Sequence, residues 1–157
     1  MAMHTWFECK IRYEKVMENG MQKKVTEPYL VDALSFTEAE ARIIEEMTPF
    51  ISGEFTVSDI KRANYSELFP SDEESADRWF KCKLIFITLD EKSGAEKKTS
   101  TQVLVQAADL RDAVKKLDEG MKGTMADYQI GMVSETPLMD VYPVSYTHLR
   151  AHETVLD

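Results

Sequence analysis

The chain is poor in the residues that usually announce chemistry. Of 157 residues, two are cysteine and three are histidine. Cys9 and Cys82 lie far apart, and neither has a second Cys or a His at metal-ligand spacing. Reduced core thiols are therefore expected, with no metal and no cofactor. Basic residues are outnumbered, 19 Lys and Arg against 28 Asp and Glu, a formal net charge of −9. Binding to double-stranded nucleic acid gains its affinity from neutralised phosphates, so this balance argues against it and leaves room only for a local basic face. No apolar run approaches the roughly 18 residues of a membrane helix. The opening Met1-Ala2-Met3-His4-Thr5-Trp6 has neither a basic nor an apolar leader segment, and a cytoplasmic protein without membrane contact is expected. Glycine is sparse at six residues, with no phosphate loop. Gly120-x-x-Gly123 reads as a helix end. What remains is ordinary for a globular domain, 43% apolar and 30% charged, too apolar for a disordered chain.

The last stretch differs from the rest. Residues 144–157 include Ser145-Tyr146-Thr147-His148-Leu149-Arg150-Ala151-His152-Glu153-Thr154, which looks like a translated sequencing adapter. His148 and His152 are four apart, as a helical metal pair would be. They fall in this non-native-looking tail and are set aside with it. The body is then left with 18 bases against 26 acids and one histidine, His4. A lone histidine makes no triad and no zinc site.

The body repeats itself. Trp6-Phe7-Glu8-Cys9-Lys10-Ile11 recurs as Trp79-Phe80-Lys81-Cys82-Lys83-Leu84, and Leu30-Val31-Asp32-Ala33 recurs as Leu104-Val105-Gln106-Ala107. Ser35 with Glu38 reads as a capping box, and Asp109 as the equivalent helix cap. Each half alternates with period two over two long stretches, then switches to helical spacing, then returns to a strand. The first half runs Thr5–Val16, a Glu18-Asn19-Gly20 turn, Gln22–Ala33, a helix and Phe55–Tyr65. The second runs Arg78–Leu89, a turn at Lys92-Ser93-Gly94, Lys97–Ala107, a helix and Tyr128–Val141. Pro137 interrupts that last strand and marks an edge or a bulge. The helix stripes are Ala39, Ile43, Ile44 and Met47, then Leu110, Val114, Leu117 and Met121.

The expected fold class is α+β. Tandem pseudo-symmetric ββαβ repeats form a mostly antiparallel six-stranded sheet, or two three-stranded sheets, with two helices on one side. The first repeat covers 1–65, an acidic linker 66–77, the second repeat 78–143, and the tail 144–157. One repeat alone buries too little surface to be stable, so the two are expected to share a core.

The segments His4-Thr5-Trp6-Phe7-Glu8-Cys9-Lys10, Val25-Thr26-Glu27-Pro28-Tyr29-Leu30-Val31-Asp32-Ala33 and Ser35-Phe36-Thr37-Glu38-Ala39-Glu40 resemble an uncharacterised bacterial family, domain of unknown function 4494. The resemblance covers about residues 3–143. It implies a bacterial cytoplasmic origin and supplies no activity, ligand or catalytic residue.

The residues themselves give no catalytic constellation. Cys9 alternates in phase with Phe7, Ile11 and Tyr13, and Cys82 with Phe80, Leu84 and Phe86. Both are expected in the core, where a thiol is a poor nucleophile. The acid runs Glu38, Glu40, Glu45 and Glu46, and Asp72, Glu73, Glu74 and Asp77, read as solvated faces. Charge segregation is more informative, because the strands are net positive within an acidic chain. Trp6, Lys10 and Arg12 share one face of their strand, as do Trp79, Lys81 and Lys83. That face is opposite the cysteines and is expected to be open. Aromatic planes beside cations hold nucleotides or single strands. The bland alternative is that the tryptophans pack in a homodimer interface or under loops, and the lysines guard strand edges. The leading expectation is a non-enzymatic binding or interaction protein. The runner-up is a binder of an anionic small molecule such as a nucleotide on this face, and an enzyme is third.

Overall fold

A computed structural model describes residues 5–124 and 127–143. The tail, with His148 and His152, and also His4 lie outside the described residues. The elements in chain order are β1 (Trp6–Val16), β2 (Gln22–Asp32), α1 (Phe36–Met47), β3 (Phe55–Ala63), β4 (Glu67–Phe69), β5 (Arg78–Leu89), β6 (Glu96–Ala107), α2 (Leu110–Gly120), β7 (Tyr128–Glu135) and β8 (Asp140–Tyr142). The protein is α+β, with two four-stranded sheets ordered β3-β1-β2-β8 and β4-β6-β5-β7. Of the two arrangements expected, the two-sheet one is found, and each sheet gains a short fourth strand.

The local signals act where alternation and capping place them. Gly20 and Gly94 adopt positive φ in the two hairpin turns, the conformation that glycine reaches without strain. Ser35 caps α1, its Oγ accepting from the Glu38 N–H at 3.1 Å, while the Glu38 carboxylate accepts from Leu34 N–H at 3.3 Å. Asp109 caps α2 in the same way, accepting from Asp112 N–H at 2.8 Å, and Asp112 accepts from Ala108 N–H at 3.0 Å. That N–H, with the Lys116 ammonium, holds the Asp112 carboxyl below the usual carboxylate range.

The chain divides into two compact units. Among the described residues, one comprises 5–63 with 138–143, the other 64–124 with 127–137. In the first, Phe7, Cys9, Ile11 and Val31 meet Ala39, Ile43 and Met47 of α1. In the second, Phe80, Cys82, Leu84, Val103 and Val105 meet Ala113, Leu117 and Met121 around α2. The helix stripes are narrower than expected. Ile44 and Leu110 are exposed, the latter by 51%, because a helix resting on one sheet face buries only a strip of its surface. Ala113 takes the inward position beside Leu117.

The register repeats between units. β1 and β2 pair antiparallel throughout, as do β5 and β6. β1 slips against β3 between Lys10 and Ile11, and β5 slips against β7 between Lys83 and Leu84. These slips fall at equivalent places in the Trp-Phe-x-Cys-Lys motif, as a bulge built into the repeat would.

The fourth strands correct the expected course of the chain. The stretch Tyr128–Val141 is not one interrupted strand. β7 ends at Glu135, and β8 pairs parallel to β2 in the first unit, Leu30 opposite Val141. β4 lies within the acidic stretch 66–77 and pairs parallel to β6, Leu104 opposite Leu68. Gly120 is the last residue of α2, as expected, but it ends the helix without a positive φ. A Cβ there would stand 2.8 Å from the Phe69 ring, so the glycine makes room for β4 against the end of α2. Gly123, at φ 89°, makes the turn.

Candidate functional site

Alternation sets which side chains share the face away from each helix. The register is continuous from Trp6 to Lys10 and from Trp79 to Lys83. Trp6, Glu8 and Lys10 therefore stand opposite Phe7 and Cys9, and Trp79, Lys81 and Lys83 opposite Phe80 and Cys82. Arg12 continues the first row, and all six candidate residues lie on the helix-free faces.

The tryptophans do not present open planes there. Trp6 is 3% exposed and Trp79 5%. Leu30 and Leu104, on the same faces, are fully buried as well. The expected aromatic platform is thus a buried apolar end to each row. What reaches solvent are the cations, with Arg12 and Lys83 exposed and Lys10 and Lys81 half-buried.

The two rows differ in their surroundings. In the first unit, Glu8 stands beside Lys10 and bridges Lys61 across the strands at 3.7 Å. Asp59 is the cross-strand partner of Lys10. In the second unit the residue equivalent to Glu8 is Lys81, flanked by Leu104 and Ser134. Lys83 is flanked by Gln102 and Met132. The first cation row carries its own counter-ions, whereas the second has two lysines on neighbouring same-face positions between uncharged partners.

An open depression of about 590 Å³ at the turn end of β1 is lined by Arg12, Tyr13, Glu14, Lys24, Glu54 and Phe55, among others. Its two cations are matched by two carboxylates, so it has no net field for an anion.

The thiols are core groups. Burial, with Glu8 and Asp59 adding to it, pushes Cys9 up to about 12. Burial pushes Cys82 up to about 11. At neutral pH neither supplies a thiolate. Among the described residues no group of three or more His, Cys, Asp or Glu could hold a metal ion. Nor is any of their helices long and apolar enough to cross a membrane.

One polar cluster was not anticipated. On the helix side of the first unit, Glu27 accepts from Tyr13 Oη at 2.8 Å and from Tyr29 Oη at 3.3 Å. Lys15 stands 3.6 Å from its other oxygen. Tyr29 stacks on Tyr142 of β8, centroids 6.1 Å apart. Burial, then the hydrogen bond to Glu27, pushes Tyr13 up to about 12. Phase alone could have placed Tyr13, Glu27 and Tyr29 together, since Ile11 pairs with Glu27 and Cys9 with Tyr29. Tyr142 could not be added without knowing where β8 pairs.

The family described as Domain of unknown function (DUF4494) matches residues 5–144, nearly the whole chain, and the chain belongs to that family. Comparison with curated proteins and with solved structures gives no match.

Proposed function

As a member of a family whose description carries no activity, the chain has to be read from its own surface, and we propose that it is a non-enzymatic binding protein that engages an anionic group through Lys81 and Lys83 of β5. The observation that carries this reading is the uncharged setting of both lysines within a chain of net charge −9. Cations without local counter-ions attract an anion more strongly than cations that already face carboxylates. Trp6 and Trp79, on the same face as the cations, are buried at the end of each row rather than stacking on the ligand. Lys10 and Arg12 form a weaker, partly neutralised copy of the same row. A phosphate-bearing small molecule such as a nucleotide fits two lysines on adjacent same-face positions, each a compact point charge.

We also read the chain as an internal duplication, with repeats over 1–65 and 78–143 joined through 66–77. The shared motif, the equivalent caps and the equivalent slips in register support that origin. A bacterial cytoplasmic setting, implied by the family, belongs to the same proposal.

A thermal-shift screen with nucleoside phosphates and pyrophosphate tests the site. A ligand present at about 100 times its Kd should raise Tm by several degrees. Lys83→Glu should abolish the shift, and added salt should reduce it. Lys97→Glu, on the exposed start of β6, should leave it in place. A shift that survives Lys81→Glu and Lys83→Glu together, or no shift with any anion, overturns the proposal. If Met132→Asp, at an exposed residue beside Lys83 on the same face, changes oligomeric state in light scattering without loss of fold, the helix-free face is a homodimer interface instead.

A further inference from the structure

The fourth strand of each sheet follows the third strand of a repeat: β4 follows β3 and opens the second unit, and β8 follows β7 and returns to the first. The two inserts are equivalent. Glu67-Leu68-Phe69-Pro70 stands as far before Asp140-Val141-Tyr142-Pro143 as Trp6 stands before Trp79. Both read acidic, aliphatic, aromatic, proline. Both lie parallel to the strand that precedes a helix, with the middle aliphatic residue opposite a fully buried leucine, Leu104 or Leu30. The aromatic residue of each turns to the helix side, where Tyr142 meets Tyr29 and Phe69 lies against Gly120.

A cation at the same position of each helix holds the chain just beyond the insert. Arg42 of α1 donates to Tyr142 O and Pro143 O at 3.4 Å each, and also to Asp32 O. Lys116 of α2 donates to Ser71 Oγ at 3.0 Å and pairs with Glu73 at 3.1 Å. Met139 N–H donates to Pro28 O at 2.9 Å, which seats the start of β8. Leu138 and Val141 are buried.

From this we infer that the groove between β2 and α1 is a receptor for a short parallel strand, and that the partner it fits is the Leu138–Pro143 segment of a second copy of this chain. The resident segment is short, and its contacts include three pairs of residues, the Met139 N–H, the Tyr29–Tyr142 stack and the Arg42 guanidinium. It is also joined to β7 by only the stretch Thr136–Met139. Exchange of an identical element between copies preserves every contact inside the groove and changes only the connection. The intramolecular arrangement has an effective concentration on the order of millimolar, so the single chain predominates until the segment is released. Released segments then pair in trans, giving a strand-exchanged dimer.

The test uses the intact chain in light scattering, before and after warming to just below Tm and cooling at high concentration. The expected result is a monomer beforehand and a dimer fraction afterwards, several-fold larger in Arg42→Ala. A synthetic peptide of residues 137–143, added in excess, should suppress the dimer, and Val141→Asp should abolish it. Arg42→Lys serves if the alanine variant does not fold, since it keeps the charge and loses the planar fork. The inference is overturned if neither variant dimerises although hydrogen exchange shows the Asp140–Tyr142 amides opening faster. It is equally overturned if dimers form but ignore both the peptide and Val141→Asp. Failure of the anion screen leaves this result untouched, because Lys81 and Lys83 take no part in the groove.

Discussion

The two units repeat one backbone plan and spend their polar residues differently. Tyr13, Glu27, Tyr29 and Tyr142 of the first correspond by register to Phe86, Thr101, Val103 and Phe69 of the second. The first unit thus carries a hydrogen-bonded phenol and carboxylate cluster where the second carries an apolar wall. The aromatic cross-strand pair is even inverted. Tyr13 faces Phe55 in one unit, while Phe86 faces Tyr128 in the other. The displaced hydroxyl of Tyr128 then donates to Asp118 of α2 at 3.2 Å. Tyr13, Tyr29 and Tyr128 each keep a carboxylate acceptor, which is the condition for half-burying a phenol. On the helix-free face the contrast has the opposite sense: Glu8 makes the first unit self-neutralised, and Lys81 leaves the second positive. The same backbone plan thus accommodates two different sets of side chains at these positions while the buried apolar positions are kept.

The comparison predicts equal losses where the units agree. Phe7 and Phe80 are both buried against a helix. Phe7→Ala and Phe80→Ala should each cost about 3–5 kcal/mol, read by denaturant unfolding. A difference of more than about 2 kcal/mol between them would break the equivalence of the two cores.

Alkaline titration sharpens the difference in electrostatics. Both thiols are raised in the folded state, so their neutral forms contribute stability that is complete below the unfolded value near 9. That contribution is lost as pH climbs through about 11 for Cys82 and about 12 for Cys9. The Tm should therefore fall steadily above pH 9. Glu8→Lys, which installs the second unit's residue, removes an acid that raises Cys9. Thiolate absorbance for Cys9 should then appear at lower pH, nearer that of Cys82. An unchanged Cys9 titration would assign the difference to burial and Asp59.

The polar cluster gives a smaller effect. Tyr13→Phe removes a hydroxyl from a half-buried carboxylate and should cost about 1 kcal/mol. Glu27→Thr, the residue of the second unit, strands two phenols and should cost somewhat more. The double variant should cost less than the sum, because the two changes remove one network. Additive losses in chemical denaturation would show that Tyr13 and Glu27 act independently. Smallest are the caps: Ser35→Ala and Asp109→Ala should each cost about 1 kcal/mol and lower helix content only locally. A loss at one cap and none at the other would separate two helices that share the same cap geometry.

Much of this plan was legible before any coordinates. Period-two alternation gave both hairpins and put Cys9 and Cys82 in the core, because a strand offers only two faces. The Asn19-Gly20 turn and the Ser35 and Asp109 caps follow from local backbone chemistry, which needs no distant partner. The helix stripes were legible in phase but not in width, since Ile44 and Leu110 lie at the border that the sheet leaves uncovered. The candidate site was legible as a face and misread as a surface. Alternation says that Trp6 and Trp79 point away from the helices, but nothing in a single strand says what lies over that face.

The sequence by itself determined the two strand–strand–helix–strand patterns, their caps and turns, and the side of the sheet each residue takes. These are set by short-range sterics and by the periods of the backbone. Only the tertiary structure decided that β8 returns to the first sheet and β4 joins the second, that Tyr142 completes a cluster begun on β1 and β2, and that the tryptophans are buried. Three-residue strands are too short to carry a period, and their pairing is chosen by a groove formed from residues far away in the chain. Burial likewise depends on what is brought over a face, a long-range fact that alternation along one strand does not contain.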